Sequence, residues 1–334
     1  MSLNNRRQSL SLEEYVEGVK ANNRAVLARA ITLVESNAAR HMTLAQELLT
    51  SIMPDTGESI RIGITGVPGA GKSTFIESFG MMLCEKGHRV AVLAVDPSSS
   101  LSHGSILGDK TRMEQLSRHR GAFVRPSPAG GALGGVARKT RETMLLCEAA
   151  GYDIIIVETV GVGQSEVSVR SMVDCYLVLM LTGAGDDLQG MKKGMMEMVD
   201  MMLINKADGT NIHAANQAKI ELRRIVHMLP RMTNGWETKV QTVSSLTGNG
   251  MKECWETVEQ FYTHLVKTKQ FDERRKKQAA NWFHSLIEEQ LLSSFYESGI
   301  IKRELPQLKQ SVLDGKVSAT QAALALLKKY QGNN

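Results

Sequence analysis

Apolar residues at Leu12, Tyr15, Val16, Val19, Val26, Leu27, Ala30, Ile31 and Val34 recur at three-to-four spacing and predict one long amphipathic helix. A second helix is predicted from about Leu44 to Ile52, after which Pro54 and Gly57 break the pattern. Residues 1–56 are thus expected to form an N-terminal helical arm. The texture then changes to short apolar runs rich in β-branched residues, alternating with helical stretches. The predicted strands are Ile60 to Thr65, Arg89 to Val95, Ala122 to Arg125, Asp153 to Glu158, Cys175 to Leu181, Met201 to Asn205 and Lys239 to Val243. Such alternation predicts repeated βαβ units, an α/β domain with a doubly wound, mostly parallel sheet over residues 57–250. Near-continuous hydrophobicity in Ile154 to Val157 and Tyr176 to Leu181 fits strands covered on both faces. Beyond Met251 the stripes are helical again (Trp255, Val258, Phe261, then Trp282, Phe283, Leu286, Ile287, Leu291). Residues 251–334 are therefore expected to be a helical region that packs on the domain or on a second subunit. Within it the basic run Arg274 to Lys277 is expected to be a solvated helix face.

Composition narrows the class. With 42% hydrophobic and 22% charged residues in 334, the chain can bury a sizeable core and is far from the composition of disorder. No apolar run approaches the 20 or so residues that cross a bilayer, so no membrane span is expected. A net charge of +5, scattered along the chain, gives no case for nucleic acid. The opening MSLNNRRQSLSLEEY has no apolar h-region, and Glu13 and Glu14 come too early for a transit peptide, so a cytoplasmic location is expected. Cys84, Cys147, Cys175 and Cys254 are widely spaced, without a CxxC pair, and are expected to be buried reduced thiols.

The strongest chemical signal is Gly66, Val67, Pro68, Gly69, Ala70, Gly71, Lys72, Ser73, which satisfies GxxxxGK[ST] between a predicted strand and a predicted helix. Glycines let the backbone curl so that successive N–H groups point at phosphate oxygens, and the following helix adds the positive end of its dipole. Lys72 is expected on the β and γ phosphates, Ser73 on Mg²⁺ and Thr74 on the α phosphate. A phosphate loop does not choose a base; Asn205, Lys206, Ala207, Asp208 after a predicted strand do. A carboxylate at Asp208 can accept both N1–H and N2–H of guanine, whereas adenine would leave the charge unpaired. Ser244, Ser245 and Leu246 resemble a loop whose backbone meets the guanine O6. Asp96, Asp109 and Glu158, each near the end of a strand or a glycine-rich loop, are the metal candidates, with Glu158 also counted as catalytic. Gln164, after Gly161 and Gly163, is a candidate for positioning the attacking water. The segments Pro97 to Gly108, Gly161 to Gln164 and Thr182 to Lys193 are candidate switches.

The set GVPGAGKST, AVDPSSS, GSILGDKTRM, VETVGVGQSE, GAGDDLQGMKKG and NKAD resembles the MeaB/ArgK family of P-loop GTPases, over about residues 12–330. The glutamate at Glu158, where most GTPases carry aspartate, is a mark of that family and of its metallochaperone relatives. The resemblance implies a P-loop NTPase fold of the SIMIBI type, GTP and GDP as ligands, Mg²⁺, slow hydrolysis and a homodimer made by the terminal helices. It implies a partner too, a cobalamin-dependent acyl-CoA mutase such as methylmalonyl-CoA mutase, to which GTP use would couple delivery of adenosylcobalamin and protection of the enzyme. Carried over by motif, Lys72 and Ser73 hold phosphate and Mg²⁺, Asp96, Asp109 and Glu158 shape the metal site, Asn205 and Asp208 read guanine, and Lys192 belongs to a third switch. Two other readings stay open: an ATP-using kinase linked to basic amino-acid transport, against which NKAD argues, and a nickel-type metallochaperone GTPase, against which the scattered cysteines and histidines argue.

Overall fold

The computed structural model describes residues 10–95, 113–126, 133–159, 165–182 and 193–332. Seven parallel strands, β1 (Ile60–Gly66), β2 (Val90–Val95), β3 (Ala122–Arg125), β4 (Ile154–Thr159), β5 (Cys175–Met180), β6 (Met201–Ile204) and β7 (Lys239–Thr242), form one sheet in the order β3-β2-β4-β1-β5-β6-β7. All seven predicted strands are present. Because the order turns back at β1, between β4 and β5, the crevice beyond its carboxyl end is where an open parallel sheet places a ligand.

Side-chain alternation splits the sheet into two buried faces. Ile62, Ile64, Ile154, Ile156, Leu177 and Leu179 lie on one, covered by α4 (Lys72–Glu85), α5 (Glu114–Arg118) and α10 (Met251–Lys267) through Phe75, Phe79, Leu116, Trp255 and Phe261. Ile155, Val157, Tyr176, Val178, Met202 and Ile204 lie on the other. That face is covered by α6 (Leu133–Ala149), α7 (Ser165–Arg170) and α9 (Ile212–His227), while α8 (Lys193–Glu197) leads into β6. The N-terminal helices α1 (Leu12–Lys20), α2 (Arg24–Glu35) and α3 (Ala39–Ile52) share this second core through Val19, Leu27, Ile31 and Leu48.

The expected single helix over Leu12 to Val34 is two helices. Asn22 takes a left-handed φ of 54°, and the Asn23 side chain accepts from the Ala25 and Val26 N–H groups to cap α2. The break is invisible to periodicity because Val19 and Val26, seven residues apart, stay in helical phase across it.

The basic run is also different from its expectation. Lys276 and Lys277 are exposed, but Arg274 and Arg275, on the opposite face of α11 (Gln270–Glu297), insert under the amino ends of the strands. Arg275 makes a two-pronged pair with Asp174 at 2.6 and 2.7 Å. Asp174 also accepts from the Arg61 backbone N–H at 2.8 Å, and Arg61 pairs through Nε and Nη2 with Glu148 at 2.7 and 2.8 Å. Asp200 accepts from Arg170, from the Tyr176 N–H at 2.9 Å and from the Thr233 hydroxyl at 3.0 Å; that hydroxyl accepts from Arg274 at 2.7 Å. Gln278, one turn further along α11, donates to the Val173 carbonyl at 2.8 Å. The root of α11 is thus tied to the starts of β1, β5 and β6.

The chain divides into two compact units, Met1–Gln278 and Ala279–Asn334. The second holds the remainder of α11 with α12 (Gly299–Leu313) and α13 (Ala319–Gln331) around buried Ile301, Ala322 and Leu326, and Phe295 meets the Tyr330 ring edge-on at 5.3 Å. All four cysteines are buried and unpaired, as expected.

Glu148 gives this arrangement a measurable acid limit. Burial pushes its carboxyl up, but Arg61, Ser59 and Arg275 outweigh burial and hold it below its ordinary value. Its stabilising contribution is therefore complete above the unfolded-chain value of about 4.3 and is lost as pH falls through the lower folded value. Removing one partner of a buried pair costs about 3–5 kcal/mol. Glu148→Ala is expected to lose that much in urea unfolding at neutral pH, and its stability should fall less steeply than wild type on acidification.

Candidate nucleotide site

At the carboxyl edge of the sheet, β1 runs into the glycine-rich loop and α4 starts at Lys72. Two of the glycines are required by geometry. Gly66 has φ 153°, and a Cβ there would lie 2.4 Å from the Leu179 carbonyl oxygen; Gly71 has φ 83°, and a Cβ there would lie 2.8 Å from the Asn205 amide nitrogen. The loop turns through Val67, Pro68, Gly69 and Ala70, with the Ala70 N–H on the Val67 carbonyl at 3.1 Å. Lys72 Nζ donates to the Gly66 carbonyl at 2.9 Å and to that of Val67 at 3.4 Å, which curls the lysine back over its own loop. Burial lowers the Lys72 ammonium pKa, and the carboxylates of Glu158 and Glu166 oppose that shift. Ser73 is half-buried and Thr74 exposed on the first turn of α4.

Glu158 reaches this loop through strand register. Ile64 of β1 pairs with Glu158 of β4, so Thr65 and Thr159 become neighbours and their hydroxyls bond at 2.7 Å inside the sheet. Ser73 Oγ then donates to Glu158 Oε1 at 3.4 Å, with Glu158 only 8% exposed. Two hard oxygen donors side by side, beside an ammonium, match the chemistry of a small divalent cation and a phosphate.

Asn205 joins the loop to the segment after β6 and to the loop after β7. It is 1% exposed; its Nδ2 donates to the Ala70 carbonyl at 2.8 Å, and its Oδ1 accepts from the Ser245 N–H at 3.2 Å and the Ser245 hydroxyl at 2.8 Å. Its own N–H is held by the Met180 carbonyl at 2.9 Å. Lys206 then takes a left-handed φ of 58°, and its carbonyl is held by the Asn211 side chain at 2.7 Å. This bend aims half-buried Asp208 back toward the loop after β7, where the Ser244 hydroxyl donates to Asp208 Oδ2. Ser244 in turn accepts from the Thr247 N–H at 3.1 Å, while Leu246 is 80% exposed.

The structure therefore gathers Gly66 to Thr74, Glu158, Asn205 to Asp208 and Ser244 to Leu246 at one sheet edge. Asp96, Asp109, Gln164 and Lys192 lie outside the described residues. Sequence reasoning missed Glu166, 1% exposed in the first turn of α7, whose charge bears on Lys72. The available signal was an acidic residue between Gln164 and the apolar positions of a short helix. It missed Thr65, Thr159 and Asn211 as well, whose roles depend on partners distant in sequence.

The chain matches known proteins over most of its length. The family model described as methylmalonyl-CoA mutase-associated GTPase MeaB matches residues 27–299. The chain belongs to the MeaB family. A putative GTPase of Caulobacter vibrioides is 50% identical over 96% of this chain and 98% of its own. The mouse methylmalonic aciduria type A homolog, a mitochondrial protein, is 44% identical over 95% of this chain and 79% of its own. A crystal structure described as an LAO/AO transport system kinase superposes with a TM-score of 0.77 at 39% identity, covering 97% of this chain and all of that one. As a MeaB-family P-loop GTPase, the protein binds guanine nucleotide and hydrolyses GTP.

The contact between Gly71 and Asn205 makes a specific expectation. Gly71→Ala forces a Cβ onto the asparagine amide at a positive φ. GTP affinity, followed by fluorescence of a labelled nucleotide, is expected to fall at least about tenfold, equivalent to 1.4 kcal/mol, with the thermal unfolding midpoint changed by only a few degrees.

Proposed function

We propose that this protein is a GTPase chaperone of a cobalamin-dependent acyl-CoA mutase, with methylmalonyl-CoA mutase the first candidate, and that GTP binding and hydrolysis gate adenosylcobalamin delivery and protect the mutase. The observation that carries the reading is membership of a mutase-associated GTPase family together with a base-reading segment, Asn205 to Asp208, held against the phosphate loop. Asp208 accepts the guanine N1–H and N2–H, and the Ser244 to Leu246 backbone meets the guanine O6. Ser244, hydrogen-bonded to the carboxylate, fixes the orientation of Asp208.

Lys72 leaves the Gly66 and Val67 carbonyls for the β and γ phosphate oxygens, where its charge offsets the charge that develops as the bridge breaks. Ser73 and Glu158, with Asp96 and Asp109, would hold Mg²⁺, which would supply neutralisation of phosphate charge. Water attacks in line, and Gln164 is the residue for orienting it. Lys192 and the segment around it carry the signal to the partner. By linkage, whatever the mutase does to nucleotide affinity the nucleotide must do to mutase affinity.

The second compact unit is proposed as the dimer surface. Phe283, Ile287 and Leu291 recur every four residues along α11 at 61%, 41% and 60% exposure, a continuous apolar stripe. Changing Phe283 and Leu291 together to glutamate is expected to shift the sedimentation coefficient from dimer to monomer while leaving GTP binding in place.

The primary test is GTP and ATP turnover by the purified protein, with and without a cobalamin-dependent mutase. GTP-specific turnover that changes on adding mutase is expected; ATP-specific turnover indifferent to mutase would overturn both base and partner. Lys72→Ala should abolish hydrolysis, and Asp208→Asn should erode the preference for GTP over other nucleoside triphosphates by about 10²-fold, the scale of losing a charged hydrogen-bond pair.

A further inference from the structure

Helix α9 begins at an asparagine that does not cap it. Asn211 stands at the N-cap position, where an amide oxygen ordinarily accepts from the N–H groups of the first turn, yet its side chain makes no such bond. Both ends of the amide are engaged elsewhere. Nδ2 donates to the Lys206 carbonyl at 2.7 Å, and Oδ1 accepts from the Thr182 hydroxyl, 29 residues away in sequence, at 2.9 Å. The helix forgoes a favourable cap, and the amide holds a bend and a strand end instead.

The bend needs holding. Lys206 has φ 58°, a left-handed conformation that is unfavourable for lysine and free only for glycine, and Gly209 follows at φ 51°. On either side of Lys206 the backbone is anchored: the Asn205 N–H donates to the Met180 carbonyl at 2.9 Å and the Ala207 N–H to that of Val243 at 3.0 Å. Asn211 grips both ends of the stretch that follows, since its side chain holds the Lys206 carbonyl and its own N–H donates to the Asp208 carbonyl at 2.9 Å. With the bend in place the Lys206 stem lies beside the glycine-rich loop, where a Cβ on Gly71 would come within 4.0 Å of its Cε. Asp208 then meets the Ser244 hydroxyl. Thr182, two residues beyond β5, orients the amide in turn: a hydroxyl donating to Oδ1 leaves the Nδ2 donors for Lys206.

We propose that Asn211 is a positioning residue for guanine recognition: it fixes the left-handed bend at Lys206 that aims Asp208, and the Thr182 hydroxyl fixes Asn211. This assignment rests on Asp208 as the reader of the base. An amide suits the place because one atom must donate to a carbonyl while the other accepts from a hydroxyl. Alanine there would free the Lys206 backbone to relax toward right-handed or extended conformations. The consequence falls on the two guanine N–H groups rather than on the phosphates, which meet the glycine-rich loop and the start of α4. It also links base recognition to the end of β5, so a shift of the chain at Thr182 reaches Asp208 through one side chain.

The test is equilibrium binding of GDP and of inosine diphosphate to the full-length protein, by titration calorimetry. Inosine diphosphate lacks the 2-amino group and with it one of the two donors to Asp208. Wild type is expected to prefer GDP at least about tenfold, the scale of one hydrogen bond to a charged group. Asn211→Ala should cut that preference at least about threefold, with GDP affinity falling more than inosine diphosphate affinity. In an Asp208→Asn background the same substitution should change the remaining preference no further, because both act through one carboxylate. Thr182→Ser should match wild type, and Thr182→Val should lower the preference as Asn211→Ala does; Thr182→Val carries the test if Asn211→Ala does not fold. Equal losses of affinity for both nucleotides in the folded variants, with the preference intact, would overturn the role of Asn211 and leave Asp208 as the base reader. A preference that Asp208→Asn does not change would overturn the base reading, and this assignment with it.

Discussion

Asn205 is the point on which the nucleotide edge depends. One buried amide side chain ties the phosphate loop at Ala70, the strand that carries it, and the loop after β7 at Ser245. An amide can do this because it offers donors on one atom and two lone pairs on another. Aspartate in its place would turn the donor toward Ala70 into a second acceptor facing a carbonyl, and leucine would leave the Ala70 and Ser245 groups buried without partners. The close approach of Gly71 belongs to the same constraint, since the asparagine occupies the space a side chain would need. The glycine-rich loop and the segments that follow β6 and β7 are therefore not separable modules here. They share one hydrogen-bonding residue, and neither loop is free to drift without the other.

The fold was legible in the sequence wherever burial leaves no alternative pattern. Ile154 to Val157 and Tyr176 to Leu179 are apolar on both sides because helices cover both faces of a parallel sheet, and a continuous run of that length bounded by turn residues reads as a strand. The phosphate loop and the Asn205 to Asp208 segment were legible because their chemistry is built from contiguous residues. What stayed hidden was long-range or phase-neutral. The turn at Asn22 preserves the helical phase of its flanks, and only the consecutive asparagines marked it. The partners of Arg274 and Arg275 are Asp174, Asp200 and Thr233, roughly forty to a hundred residues away in sequence, so four basic residues in a row gave no hint that two are enclosed. Glu148, the acid at the end of α6, has its partners Ser59, Arg61 and Arg275 equally far away in sequence.

The two edges of the sheet have opposite electrostatic designs. Among the described residues the carboxyl edge presents the glycine-rich loop, Lys72, Lys206 and the carboxylates of Glu158 and Asp208. The amino edge encloses its charges: Arg61, Arg170, Arg274 and Arg275 interleave with Glu148, Asp174 and Asp200, and most of their oxygens and guanidinium nitrogens are taken up by one another or by backbone. Helix α7 lies between the two designs. It begins beside the nucleotide edge at Glu166 and ends at Arg170, which shares the Asp200 carboxylate with the root of α11.

Heat acts differently on such an enclosed charge cluster than on the apolar layers around it. The cost of stripping water from ions falls as temperature rises, while the hydrophobic contribution per unit area levels off. The attachment of α11 through Arg274 and Arg275 therefore gains weight relative to the sheet core on warming. On heating, the root of that helix is the attachment that weakens least relative to the apolar layers around it.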